Sequence, residues 1–186
     1  MNNEKNQNGG LYIQLYSIHG LIRGNNLELG RDADTGGQTK YLLELAKTLS
    51  GDKRVEKVEL VTRQIRDKKV SKDYSEPVEK INDKFSIIRI RCGGGKYLRK
   101  ELLWDYLEEF VDKSIKHIKS TGRLPDVIHS HYADAGYVCT EPAGTCRGTR
   151  SRWHRGTLPQ SHARVTKSEM GLCYAARSGA SPRVSV

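Results

Sequence analysis

The 186-residue chain lacks any run of about 18 apolar residues, which excludes a helical membrane span. Met1 to Gly10 is polar and Asn-rich and has no hydrophobic signal core, so residues 1–10 read as a disordered N-terminus. From Leu11 to Val138 there is one cysteine, Cys92, which excludes a disulfide framework and fits a reducing, cytoplasmic setting. Neither a Gly-Lys-Ser/Thr phosphate loop nor a Gly-x-Gly-x-x-Gly turn is present, and there is no internal repeat.

A second set of absences divides the chain. Residues 139–186 contain no Ile, Asp, Asn or Phe, and 1 Lys stands there against 7 Arg. Residues 1–138 hold 15 Lys, 9 Arg and 11 Ile. Three of the four cysteines lie in the later segment, which shows no apolar period of a helix or strand. Two readings account for the break. One is a basic, flexible tail. The other, which we favour, is a shift of reading frame near Cys139. Trp153-His154-Arg155-Gly156-Thr157 can be encoded so that reading two bases later gives Ala-Pro-Gly-His-Ser.

The break also redistributes charge. Of the net +10, residues 139–186 supply +6, with 8 basic and 2 acidic residues. The remaining +4, from 24 basic and 20 acidic residues, is an ordinary solvated surface. A polyanion partner is therefore not expected of the body. Nucleic-acid contact through Arg147, Arg150, Arg152 and Arg155 would belong to the tail alone, which offers few aromatic side chains for base stacking.

Leu11–Ser17 reads as an apolar strand, followed by a long loop to Thr35. A helix is expected over about Gly37–Leu49, with Tyr41, Leu42, Leu45, Ala46 and Leu49 on one face. Val55–Thr62 and Phe85–Ile90 read as strands, Arg63–Asp83 as a polar surface loop. Lys100–Ser120 reads as a helix carrying Leu103, Leu107, Phe110, Val111, Ile115 and Ile118 on one face. Asp126–His129 forms a further strand, and a helix opens near Asp134. Strands alternating with helices imply an α/β, Rossmann-like parallel sheet with right-handed crossovers. Ligands of such sheets sit beyond the carboxyl ends of the strands. Three segments should meet there: residues 18–38, 91–100 and 130–136.

Thr35-Gly36-Gly37-Gln38 permits a capping box, Thr35 and Gln38 satisfying each other's backbone. Two glycines in a first helical turn cost stability, however, and close approach of an anion to exposed N–H groups explains them better. Gly93-Gly94-Gly95-Lys96 reads either as a flexible surface loop or as a loop that brings Lys96 to a phosphate. His129 and His131 point the same way on a strand, but a third well-spaced metal ligand is missing, so no metal is expected. Asp134 can cap the following helix.

Ser17-Ile18-His19-Gly20-Leu21-Ile22-Arg23, Leu27 through Gln38, Lys96-Tyr97 with Lys100-Glu101-Leu102-Leu103-Trp104, and His131-Tyr132-Ala133-Asp134-Ala135-Gly136 together resemble the sucrose-phosphate synthases. These are retaining GT-B glycosyltransferases related to sucrose synthase. The resemblance covers about Leu11–Val138 and implies an incomplete N-terminal Rossmann-like domain, with residues 139–186 non-homologous. It implies transfer of glucose from UDP-glucose to fructose 6-phosphate, without a cofactor or metal. It places Gly36 and Gly37 at the donor diphosphate, and Gln38, Lys96, Tyr132 and Asp134 in the acceptor pocket. The family's Thr-Gly-His-Ser segment, whose His contacts the transferring sugar, is absent in frame, so no catalytic residue is assigned. Ser130 departs mildly from the family's Gly. The second Rossmann domain is also absent, so this chain by itself is expected to be inactive. A related synthase using another nucleotide sugar or acceptor, or a non-catalytic sugar-phosphate-binding remnant, is the alternative.

Overall fold

The structure, a computed structural model, describes residues 9–147. Strand β1 (Leu11–Tyr16) leads through a long loop to helix α1 (Gly37–Gly51) and strand β2 (Val55–Arg63). Strands β3 (Val78–Lys80) and β4 (Phe85–Ile90) follow, then helix α2 (Leu107–Ser120), strand β5 (Val127–Ser130) and helix α3 (Tyr132–Arg147). The sheet order is β3-β4-β2-β1-β5, with all pairs parallel except β3 with β4. The expected parallel α/β sheet is therefore present, with β2 at its centre and β1 between β2 and the edge strand β5.

Period-two alternation along β1 builds two layers. Ile13 and Leu15 face α1 and join Leu42, Leu43, Ala46, Val58, Leu60, Phe85 and Ile87 in one buried cluster. Tyr16 faces the other side and packs with Val61, Ile88, Leu107, Phe110, Val111, Ile128 and Val138. On α2 the buried positions Leu107, Phe110, Val111, Ser114 and Ile118 recur at helical spacing.

Two expectations are corrected. Lys100–Ser120 is not one helix: 3-10 turns occupy Lys100–Leu102 and Trp104–Tyr106 before α2 begins. The Tyr106 ring lies so close to Gly93 that a Cβ there would come within 2.8 Å of it, and this packing draws the segment toward the glycine loop. Arg63–Asp83 is not a plain surface loop either. It contains a 3-10 turn at Lys72–Ser75, the buried Tyr74 and strand β3. Arg89 on β4 holds this region by donating to Glu79 and to the Glu76 and Ile22 carbonyls. Helix α3 also continues past the compositional break, with Cys139 buried. Cys92 is buried as well, and among the described residues it forms no disulfide.

One polar cluster lies inside the packing. Glu59, on β2, is 2% exposed. It accepts from the Tyr12 hydroxyl (2.5 Å) and the Gln14 amide (2.8 Å), and pairs with Lys57 (2.7 Å) and His117 (3.0 Å). Burial alone would raise its pKa, but His117, Lys57 and Tyr12 outweigh that and hold it at about 2.

Candidate functional site

The carboxyl end of β1 runs into Ser17-Ile18-His19-Gly20, and the loop returns as α1. Gly20 has φ +82°, and a Cβ there would lie 2.6 Å from the Asp34 carbonyl oxygen, so only glycine fits. The return places the N-terminus of α1 at the carboxyl end of β1. Gly36 is the N-cap, and no side chain caps it.

The capping-box reading is thereby corrected. The Thr35 hydroxyl instead accepts from the Leu21 N–H (3.2 Å), and Gln38 donates to the Ser17 hydroxyl (3.1 Å). Both side chains tie the helix start to the end of β1. Gly36 has extended backbone (φ −122°), and a Cβ at Gly36 or Gly37 would meet nothing within 4 Å. Neither packing nor backbone angle at Gly36 demands glycine. The turn therefore leaves the start of α1 without a side-chain cap, with Gly37 exposed.

At the neighbouring strand end, Tyr132 opens α3 with φ +72° and is 55% exposed. A non-glycine residue held in this region marks local strain, which concentrates at functional sites. Its ring meets His19 edge-on, with centroids 4.8 Å apart. Asp134 is 4% exposed, and both its oxygens are engaged. One pairs with His19 Nδ1 (2.8 Å) and the other accepts from the Ala135 N–H (2.8 Å). Burial would lower the His19 pKa, but the hydrogen bond and charge of Asp134, helped by Asp34, raise it overall. The imidazolium is thus favoured in the fold, and this contribution is lost as pH rises through the His19 value.

Asp34 links the third segment. Its carboxylate accepts from the Lys100 N–H (3.0 Å) and pairs with the Lys100 ammonium (3.3 Å). Lys96, four residues earlier, has an exposed side chain. The Gly93–Lys96 loop beneath it is held rather than loose: the Arg66 N–H donates to the Gly95 carbonyl (2.7 Å) and the Gly93 N–H to Glu109 (2.9 Å). The segment is the surface loop expected, with Gly94 and Lys96 exposed, but these bonds tie it to its neighbours.

His129, on β5, and His131, just past its end, stack at 4.4 Å. Burial, then the charge of His129, lowers the His131 pKa to about 4. Among the described residues no three His, Cys, Asp or Glu side chains form a metal-holding group. No described helix is long and apolar enough to cross a membrane. Arg150, Arg152 and Arg155 lie outside the described residues, as does the Trp153–Thr157 segment.

Gly36, Gly37 and Gln38 thus stand together at the first strand end, and Tyr132 and Asp134 at the next. The sequence reading missed His19, Asp34, Lys100 and Arg63. His19, Asp34 and Lys100 lie inside the family-like segments, but only folding brings residues 19, 34, 100 and 134 together.

A parallel sheet with an uncapped glycine turn at a helix start is a Rossmann-like α/β architecture. A sucrose-phosphate synthase from Thermosynechococcus elongatus shares this fold with TM-score 0.57, over 70% of this chain and 29% of that one, at 24% identity. No family model matches the chain. Sucrose-phosphate synthase 4 of Arabidopsis thaliana is 48% identical over 155 residues, covering 72% of this chain and 15% of the relative. The sucrose-phosphate synthase of Zea mays is 46% identical over 202 residues, and a probable sucrose-phosphate synthase 1 of Oryza sativa subsp. indica is 45% identical over 202. Each of these two alignments covers 92% of this chain and 19% of the relative, and so runs beyond Cys139. The chain belongs with the sucrose-phosphate synthases and spans 15–19% of the length of these curated relatives.

Proposed function

We propose that residues 11–138 form the acceptor-facing part of an enzyme that transfers glucose from UDP-glucose to fructose 6-phosphate with retention. The observation that carries this reading is the glycine turn at Gly36 and Gly37, uncapped and without a packing reason for glycine. Its N–H groups approach the donor diphosphate and stabilise charge developing on the departing UDP. Lys96 neutralises the acceptor phosphate as a point charge. Gln38 and Tyr132 face the sugar phosphate. Asp134 serves the same pocket by orienting His19, which fixes the imidazole beside the Tyr132 ring.

Two outcomes test the proposal. Calorimetry of the 186-residue chain should show binding of fructose 6-phosphate that exceeds binding of fructose or inorganic phosphate. Lys96→Ala should weaken it about 10- to 100-fold, the scale of one charge-assisted contact. Equal heats for all three compounds would remove the assignment. The same chain should release no UDP from UDP-glucose with fructose 6-phosphate present, because the chemistry needs a second domain closing over the site. Turnover dependent on fructose 6-phosphate would contradict this.

A further inference from the structure

We propose that Arg63 is a positioning residue for Lys96, shaping from below the loop that carries it. The inference deepens the acceptor reading above and rests on it for the role of Lys96. Arg63 is the last residue of β2 and is 3% exposed. Its Nε donates to the Cys92 carbonyl (3.0 Å), and its Nη2 donates to the carbonyls of Gly93 (3.1 Å) and Lys96 (2.8 Å). Among the described residues no carboxylate lies within ion-pair distance of it.

A buried cation without an anion is an expensive choice for a purely structural brace. Carbonyl dipoles hold it, and they all come from one five-residue segment. The guanidinium spans Cys92 to Lys96 as a rigid fork, closing the loop over left-handed Gly93 (φ +57°) and Gly94 (φ +71°). Neighbouring contacts continue the clamp: the Tyr97 N–H donates to Asp67 (3.1 Å) and the Arg66 N–H to the Gly95 carbonyl. Arg63 therefore fixes the backbone of Lys96 while leaving its ammonium exposed. A lysine at this position keeps the charge but cannot bridge three carbonyls.

The test uses the 186-residue chain, with Arg63→Met, Arg63→Lys, Lys96→Ala and the Arg63→Met/Lys96→Ala double variant. Amide hydrogen exchange at Arg66 and Tyr97 should speed up about tenfold or more in both Arg63 variants, while exchange at Leu60 and Ile87 in the sheet stays unchanged. Fructose 6-phosphate affinity should fall about tenfold in Arg63→Met, and the double variant should bind no more weakly than Lys96→Ala alone, because the two residues act through one contact. Unchanged loop exchange overturns the proposal. So does a loss of sheet protection in both Arg63 variants, which makes Arg63 a brace of the fold. An additive loss of affinity overturns it as well. If the unmodified chain shows no selective fructose 6-phosphate binding, the acceptor reading fails, and the exchange data still decide whether Arg63 shapes the loop.

Discussion

Replacing Glu59 with leucine should destabilise the fold by about 3–5 kcal/mol, the usual result of removing one side of a buried charge pair. Four groups lose their acceptor at once: the Tyr12 hydroxyl, the Gln14 amide, His117 and the Lys57 ammonium. Tyr12 and Gln14 are fully buried and have no water to turn to. A domain with a total stability of about 5–15 kcal/mol would lose much of it. Urea unfolding followed by circular dichroism at neutral pH measures the loss, and a change below about 1 kcal/mol would contradict the network's role. Glu59→Gln retains the shape and part of the hydrogen bonding, so its loss should be smaller. The two differ in acid as well. The Glu59 pKa is depressed from 4.5 to about 2, so its contribution is complete above 4.5 and disappears as pH falls toward 2. The unmodified chain should lose that increment across this window, and Glu59→Gln should not.

Gly37→Val should separate binding from folding. The added Cβ meets no atom within 4 Å, and the residue sits in the first turn of α1. Losing a glycine there removes backbone entropy from the unfolded chain, so stability should hold or rise by up to about 1 kcal/mol. The methyl groups would stand where an anion approaches the N–H groups, holding it beyond the roughly 2.9 Å of a hydrogen bond. UDP affinity of the 186-residue chain should fall at least tenfold, as expected for the loss of more than about 1.4 kcal/mol of contact. Lys96→Ala should leave UDP binding intact while weakening fructose 6-phosphate, which separates the donor side from the acceptor side. Undiminished UDP affinity in Gly37→Val, with the fold intact, would remove the donor role from the glycine turn.

The sequence reading succeeded where a local rule was sufficient. The apolar period of residues 37–49 and the short β-rich runs reported α1, β1, β2, β4 and β5 within a few residues. It failed where long-range contacts overrode local pattern. Residues 100–106 carry apolar residues at helical spacing, yet the Tyr106 ring packs against Gly93 and the segment forms 3-10 turns instead. Strand β3 has three residues and little apolar signal, and its pairing with β4 creates it. Thr35 and Gln38 have the spacing of a capping box, but Leu21 and Ser17 take their hydrogen bonds.

What the chain's residues determined alone is the alternating α/β plan, the glycine pair at a helix start and the family likeness, because periodicity and motif are properties of neighbouring residues. What only tertiary structure decided is the company each site residue keeps. The pairing of His19 with Asp134, the tie between Asp34 and Lys100, and the hold of Arg63 on the Lys96 loop span 115, 66 and 33 residues at most. Such contacts come from parallel strands ending at one edge of a sheet, and no local pattern encodes them.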